Sequence, residues 1–272
     1  MNRFLRDPRF VISGLIVMTI VLMALLAPIF APHDPIALNT REALQGPTGP
    51  HLFGTDEYGR DILSRIIFGA QASLQVALGA VLVAMAIGLP IGIAGGYFGG
   101  WVETMTMRVI DVIMCFPPII LGILVVGFLG PGIRNLIMVI GLLYIPRFAR
   151  IAHSTTLTLR NQEYVDASRA VGATNMRIIR QAILPNILAP IIVQASLSLA
   201  AAILLESGLS FLGLGIVPPT PSWGLMIGDG RGYMLLNPWY VIWPSVVLAV
   251  TILSINVLGD SLRDILDPRL KT

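Results

Sequence analysis

The residues of this sequence able to make or break bonds are few, and their spacing argues against catalysis. A serine nucleophile needs a base within hydrogen-bonding reach. Ser210, in Gly208-Leu-Ser210, lies in an apolar interval that holds no histidine. His33, His51 and His153 read as separate solvated or interfacial residues, and no His-Glu-x-x-His pair is present, so no metal ligand is assigned. Cys115 is alone and forms no intrachain disulfide. A phosphate loop requires Gly, four residues, then Gly-Lys-Ser or Gly-Lys-Thr. The one lysine, Lys271, does precede Thr272, but Ile265 and Leu270 stand where the glycines belong. The chain reads as no enzyme, with no catalytic residues and no cofactor of its own.

Four acids fall in or near apolar intervals: Glu103, Asp111, Glu206 and Asp260. Such a group suggests a pathway or a relay, and a proton-coupled secondary transporter would need one deep in the membrane. Three of them sit near expected inner ends of spans, where Arg108 or Arg263 can pair with them. Glu206 is the exception, near the outer end of a span. It is the one candidate pathway or gate residue, with a structural hydrogen bond to a neighbouring helix as the other reading.

The elements that must carry these residues follow from composition. Of 272 residues, 55% are hydrophobic and 12% charged, against roughly 25% charged in a soluble domain, so water is not the main solvent of this chain. The mean hydropathy of +0.81 agrees. A helix needs about 20 uncharged residues to cross hydrocarbon. Intervals free of Asp, Glu, Lys and Arg then predict a retained signal-anchor helix at Val11–Ala31 and a second span entered near Ala72 and left near Tyr97. The third is Val112–Ile133, and the fourth runs from about Ile133 to Ala152. Gln181–Leu205 is the fifth, and the sixth starts near Trp239.

Ser207–Gly228 is also uncharged, but its glycines and Pro218, Pro219 and Pro221 favour a folded or re-entrant loop. Charge arbitrates. Six spans with both termini in the cytoplasm leave only Arg41, Arg60, Arg65, Arg134 and Arg231 outside, whereas a seventh would carry Arg263, Arg269 and Lys271 outward against the positive-inside rule. The predicted fold class is an all-α membrane protein. Its organisation is a cytoplasmic N-terminus (1–10), a first transmembrane helix (11–31), an external loop (32–70), a five-helix core (71–260) and a cytoplasmic C-terminus (261–272). The core contains a cytoplasmic loop at 153–184 and an external loop at 207–237.

Two loops are large enough to have jobs. In the first, Thr55 can cap a helix whose apolar face is Ile62, Ile66 and Ile67 and whose polar face pairs Asp61 with Arg65 at i, i+4. An amphipathic helix on the outer leaflet and a docking surface are both open readings. In the second, Asn161 can cap a short helix over Gln162–Val171, Gly172 supplies a left-handed exit, and Thr174 caps a helix that runs past Pro185 into the fifth span. Small residues at Ala167, Ser168 and Ala170 would let another surface approach closely.

The pattern Asp166-Ala167-Ser168, three residues, Gly172, nine residues, Ala182-Ile183-Leu184-Pro185 resembles the EAA loop of ABC importer permeases, which reads Glu-Ala-Ala, three residues, Gly, nine residues, Ile, any residue, Leu-Pro. Asp166, Ser168 and Ala182 depart from it mildly. Phe53-Gly-Thr-Asp-Glu-Tyr-Gly-Arg-Asp-Ile-Leu-Ser-Arg65, Gly95-Gly-Tyr-Phe-Gly-Gly100, Ser210-Phe-Leu-Gly-Leu-Gly215, Pro218-Pro-Thr-Pro-Ser-Trp-Gly224 and the ending from Gly259 resemble the dipeptide, oligopeptide and nickel permease subfamily.

That resemblance implies a type I ABC importer permease fold in a bacterial inner membrane. It implies a homologous second permease, two ATPase subunits that bind ATP and Mg, and an external solute-binding protein as partners, with the lipid bilayer as solvent and no nucleic acid. The loop around Gly172 would be the coupling helix, with Asp166, Ala167, Ser168 and Gly172 at the ATPase contact and Glu163, Arg169 and Thr174 as neighbours. The implied substrate is a dipeptide or oligopeptide, with a nickel chelate or glutathione as alternatives. The topology is checked by reporter fusions: those after Arg160 and Lys271 should report cytoplasm and those near Gly49 and Gly230 the outside, and a cytoplasmic signal at Gly230 sinks the six-span arrangement.

Overall fold

A computed structural model describes residues 7–266. The expected charges at Arg3, Arg6, Arg269 and Lys271 lie outside the described residues. No strand forms among those described. With no water to serve exposed peptide groups, a helix satisfies its backbone within itself, and that constraint dictates the architecture.

Helix α1 (Pro8–Leu25) starts at Pro8, whose missing N–H costs nothing in a first turn, and the Asp7 carboxylate accepts from Arg9 N at 2.9 Å. The one-turn α2 (Ala27–Phe30) follows. Helix α3 (Ile62–Phe98) is a single rod of 37 residues. At 1.5 Å per residue it is about 55 Å long, well beyond the ~30 Å hydrocarbon core. The expectation of a separate amphipathic helix before a span starting near Ala72 is therefore corrected: the outer helix and the second span are one element. Ile62, Ile66 and Ile67 are buried in protein, not laid on lipid. Its cap is Asp61, which accepts from Ser64 N at 2.8 Å, so Asp61 stands before the helix and pairs with no Arg65 on its face.

The expected third span is broken. Helices α4 (Gly100–Met114) and α5 (Pro118–Leu129) meet at 88°. Pro117 pushes Phe116 out of the helical region and Pro118 can start a helix but not continue one, which turns the chain there. Helix α6 (Ile133–Leu159) is followed by the short α7 (Glu163–Ala170) and α8 (Asn175–Ile178). Residues Ile179–Ile183 wind as a π-helix, with Leu184 N donating to Ile179 O. Pro185, which has no N–H for the usual ladder, follows this loosening directly. Helix α9 (Leu184–Phe211) completes the fifth span and takes in the first five residues, Ser207 to Phe211, of the loop expected at 207–237. Helix α10 (Trp223–Gly230) is too short to cross a membrane, as the proline and glycine content of that interval predicted. Helix α11 (Trp239–Leu266) begins at the expected residue. Five described helices are long and apolar enough to span, six if the bent α4–α5 pair counts as one.

The core sits where α3, α6 and α9 meet, with Trp223 and Met226 of α10 closing one end. Its closest contact is between α3 and α6. Gly88, Gly92 and Gly96, four residues apart on one face of α3, lie against the α6 backbone: a Cβ on Gly88 would meet Ile145 O at 2.7 Å and one on Gly96 would meet His153 O at 2.7 Å, and one on Gly92 would collide with Ala149 O. Small residues at this spacing let two membrane helices approach closely, so dispersion contacts replace the hydrophobic drive that lipid removes. These glycines form the packing face of α3. Only Gly99, at φ 67°, ends the helix.

Gly92→Leu should force α3 and α6 apart at a cost of about 1–3 kcal/mol or more. Gly127→Ala in α5, where a Cβ meets nothing within 4 Å, should change stability by less than about 0.5 kcal/mol. Thermal unfolding of the detergent-solubilised chain measures both, and equal midpoints for the two variants would remove the glycine face from the account.

Candidate functional site

Two polar assemblies stand at opposite ends of α3. At the inner end, by the expected topology, is the loop that carries α7. Glu163 and Asp166 lie in the first turn of α7, where the positive end of the helix dipole favours them, and Arg169 in the last turn reaches back to Asp166, Nη1 to Oδ1 at 2.9 Å. Gly172 has φ 79°. Its N–H donates to Arg169 O at 2.9 Å and Ala173 N to Ser168 O at 3.0 Å, the paired bonds by which a left-handed residue closes a helix. The expected exit at Gly172 is therefore present, and a Cβ there would meet no atom within 4 Å. The caps differ from expectation. Gln162, not Asn161, precedes the helix, the Asn161 amide donates back to Leu157 O at 3.4 Å, and Thr174 occupies the cap position of α8 without a side-chain bond.

One face of α7 is anchored and the other is bare. Val165 is fully buried, and beyond the loop Ile178 is too. Tyr97, near the end of α3, donates its hydroxyl to Asn175 Oδ1 at 3.0 Å, and Arg160 Nη1 donates to Gly96 O at 2.9 Å, so the loop is tied to the same rod on both sides. Glu163, Asp166, Ala167, Gly172 and Thr174 are exposed, Ser168 is half-buried, and Val171 is 84% exposed. A cleft of about 180 Å³ lined by Ser168, Gly172, Arg177 and Gln181 opens beside them. Sequence reasoning missed Tyr97 and Asn175 as the tether. Nothing in their spacing, separated by most of two spans, signals that they meet.

Glu206 is fully buried in α9. It accepts from Ser210 Oγ at 2.7 Å and Ser207 Oγ at 3.3 Å, and Ser210 Oγ in turn accepts from Ile216 N at 3.3 Å. Its carboxylate holds the turn that follows α9. Two of the three acids expected at inner ends find partners other than Arg108 and Arg263: Glu103 meets His153 Nε2 at 2.9 Å and Asp111 meets Arg150 Nη2 at 2.7 Å, since α4 lies along α6 and its Glu103 and Asp111 face that helix.

At the outer end, Asp56 is fully buried between two arginines. Its carboxylate takes the Nε of Arg60, lies 3.3 Å from Nε of Arg65, and accepts from Tyr58 N and Arg60 N at 2.9 Å each. Arg65 also donates to Pro35 O at 3.1 Å. Asn237 Nδ2 bridges Gln45 O and Thr55 O at 2.9 Å, and Trp223 Nε1 donates to Ile66 O at 3.1 Å, so the segments before α3 and around α10 are stitched together. A cleft of about 320 Å³ opens over Glu57, Arg60, Arg65 and Asp229. Burial pushes the Glu57 and Asp229 carboxyls above their ordinary range; backbone and Tyr240 hydrogen bonds oppose it at Glu57, and Arg65 and Arg60 oppose it at Asp229. His51 is not solvated, as expected from sequence, but buried against Asp61 at 2.9 Å.

Residues 88–272 match the family described as the binding-protein-dependent transport system inner membrane component, and residues 1–47 match the N-terminal TM domain of oligopeptide transport permease C. The chain belongs to this family of ABC importer permeases. It is 42% identical over 98% of its length to the dipeptide transport system permease protein DppC of Alkalihalophilus pseudofirmus, covering 88% of that protein. It is 40% identical to a di/tripeptide transport system permease of Pseudomonas aeruginosa, over 96% of this chain and 88% of the other, and 39% identical to the glutathione transport system permease GsiD of Escherichia coli, over 99% and 89%. The permease fold is that of an inward-facing MetNI methionine ABC transporter structure, at TM-score 0.62 and 21% identity, over 76% of this chain and 98% of that one.

Removing one partner of a buried ion pair strands the other charge, so Asp56→Ala should cost the permease about 3–5 kcal/mol. Arg41→Ala, on an exposed turn, should stay within about 0.5 kcal/mol. Thermal unfolding in detergent checks the pair, and a neutral Asp56→Ala would mean that the two arginines are already solvated.

Proposed function

We propose that this chain is a subunit of an ATP-driven importer of dipeptides or oligopeptides, placed in a bacterial inner membrane with both termini in the cytoplasm. It forms the translocation path with a second, homologous permease. Two ATPase subunits bind ATP and Mg on the cytoplasmic side, and an external binding protein delivers the solute. The observation that carries the reading is α7, an exposed short helix closed by Gly172, in a loop whose next helix, α8, is held to the end of α3 by the Tyr97–Asn175 hydrogen bond. A handle with a free outer face and a fixed inner one transmits a pull. Closure of an ATPase dimer on Asp166, Ala167, Ser168 and Gly172, with Glu163, Arg169 and Thr174 beside them, would move α3 and rock a two-state permease pair between inward-open and outward-open.

The peptide assignment is supported by the names of the relatives, two of which are dipeptide or di/tripeptide permeases. Glutathione, itself a tripeptide, is the second reading and is favoured by the 39% identical permease. Uptake of labelled dipeptide by cells lacking the endogenous chain, with unlabelled glutathione as competitor, separates the two. Uptake that fails without ATP but survives collapse of the proton gradient excludes a proton-coupled carrier.

Gly172→Val tests the handle. Because the site is open, the change acts through backbone strain alone, about 1–2 kcal/mol for a β-branched residue held at positive φ. The expected outcome is normal membrane levels, uptake reduced at least tenfold and weaker retention of ATPase subunits. Full uptake at wild-type level would make the loop a connector.

A further inference from the structure

The external loop brings together three side chains that lie far apart in the sequence. His33 follows α2, His51 lies in the middle of the loop and Asp61 caps α3, and one ligand atom from each falls within 4.8 Å of the others. His51 Nδ1 lies 2.9 Å from Asp61 Oδ1 and His33 Nδ1 lies 3.8 Å from Asp61 Oδ2. Two donor atoms bound to one first-row metal at about 2.0–2.1 Å stand roughly 3.0–3.4 Å apart, so small side-chain rotations bring all three into one sphere.

The surroundings are those of a ligand set. Glu42 Oε2 faces the other ring nitrogen of His51, Nε2, at 3.4 Å and is itself held by Asn39 Nδ2. A proton on Nε2, facing that carboxylate, would free the Nδ1 lone pair for a metal ion. Nδ1 and Asp61 Oδ1, 2.9 Å apart, are bridged either by a proton or by a metal ion. Asp61 Oδ2 is fixed by Ser64 N at 2.8 Å and Ser64 Oγ at 2.7 Å, and Ser64 Oγ accepts from His33 N at 3.0 Å, so the carboxylate and one histidine backbone are positioned in advance. The Asp61 side chain is 1% exposed and that of His33 39%, which makes a buried base with one side open to solvent.

We propose that His33, His51 and Asp61 bind one divalent transition-metal ion of the zinc class, with Glu42 orienting His51 and a water in the open position. Two imidazoles and one carboxylate suit Zn(II), Co(II) and Ni(II) and do not suit Ca(II) or Mg(II). The ion would staple the start and middle of the external loop to the first turn of α3.

The test uses the full chain purified on a streptavidin-binding tag, since a polyhistidine tag would itself bind metal. After stripping with EDTA, it is dialysed against micromolar ZnCl2 or CoCl2. The expected result is one equivalent of zinc and visible Co(II) ligand-field bands, with affinity at least tenfold weaker in His33→Ala and in His51→Gln and unchanged in Arg41→Ala. His33 is on the open side, so His33→Ala decides the matter even if the buried His51→Gln variant fails to fold. The proposal is overturned if the wild type retains no stoichiometric metal, which would leave a proton between His51 and Asp61, or if His33→Ala binds as the wild type does.

Discussion

The contact on which the rest of the molecule depends is the close approach of the α3 and α6 backbones through Gly88, Gly92 and Gly96. In lipid, apolar side chains gain nothing by leaving one greasy surface for another, so helices hold together through dispersion at short range and through hydrogen bonds. Three glycines one turn apart supply the short range. Because α3 is one rod of 37 residues, fixing it against α6 also fixes what hangs from both of its ends.

At one end, Tyr97 donates to Asn175 and the Gly96 carbonyl accepts from Arg160, which ties the loop that carries α7 to the rod. At the other, Asp61 caps the rod, and Arg65, one turn in, enters the Asp56 ion cluster. The protein thus has a continuous mechanical element between its two polar faces. The long apolar surfaces of α1 and α5, such as Leu15 and Phe128, stay exposed because lipid needs no cover. The charged and hydrogen-bonding groups concentrate instead at the rod's ends, where water can pay part of their desolvation.

The segments before α3 and around α10 show how much polarity can be buried once it is paired. Asp56, Arg60, Arg65, Thr55 and Asn237 are all nearly inaccessible, yet between them they bind side chains and carbonyls from both segments. Glu206 follows the same rule within α9, where Ser207 and Ser210 share its carboxylate. A buried acid in a span is here a joint between a helix and the turn after it.

Composition and charge-free intervals were enough to read a helical membrane protein, the start of α11 at Trp239 and the folded, non-spanning interval that holds α10, because each rests on local chemistry and a length requirement. Gly172 was legible for the same reason: a left-handed exit is a property of one residue and its neighbours. The sequence could not show that the outer helix and second span are one rod, since a charge such as Arg65 looks like a boundary until Asp56 neutralises it. Nor could it distinguish glycines that end a helix from glycines that pack one. His51, Asp61, Tyr97 and Asn175 found their partners only in the tertiary structure. Whether a polar side chain is solvated or bound depends on what is brought to it, and that is a long-range fact the local pattern does not contain.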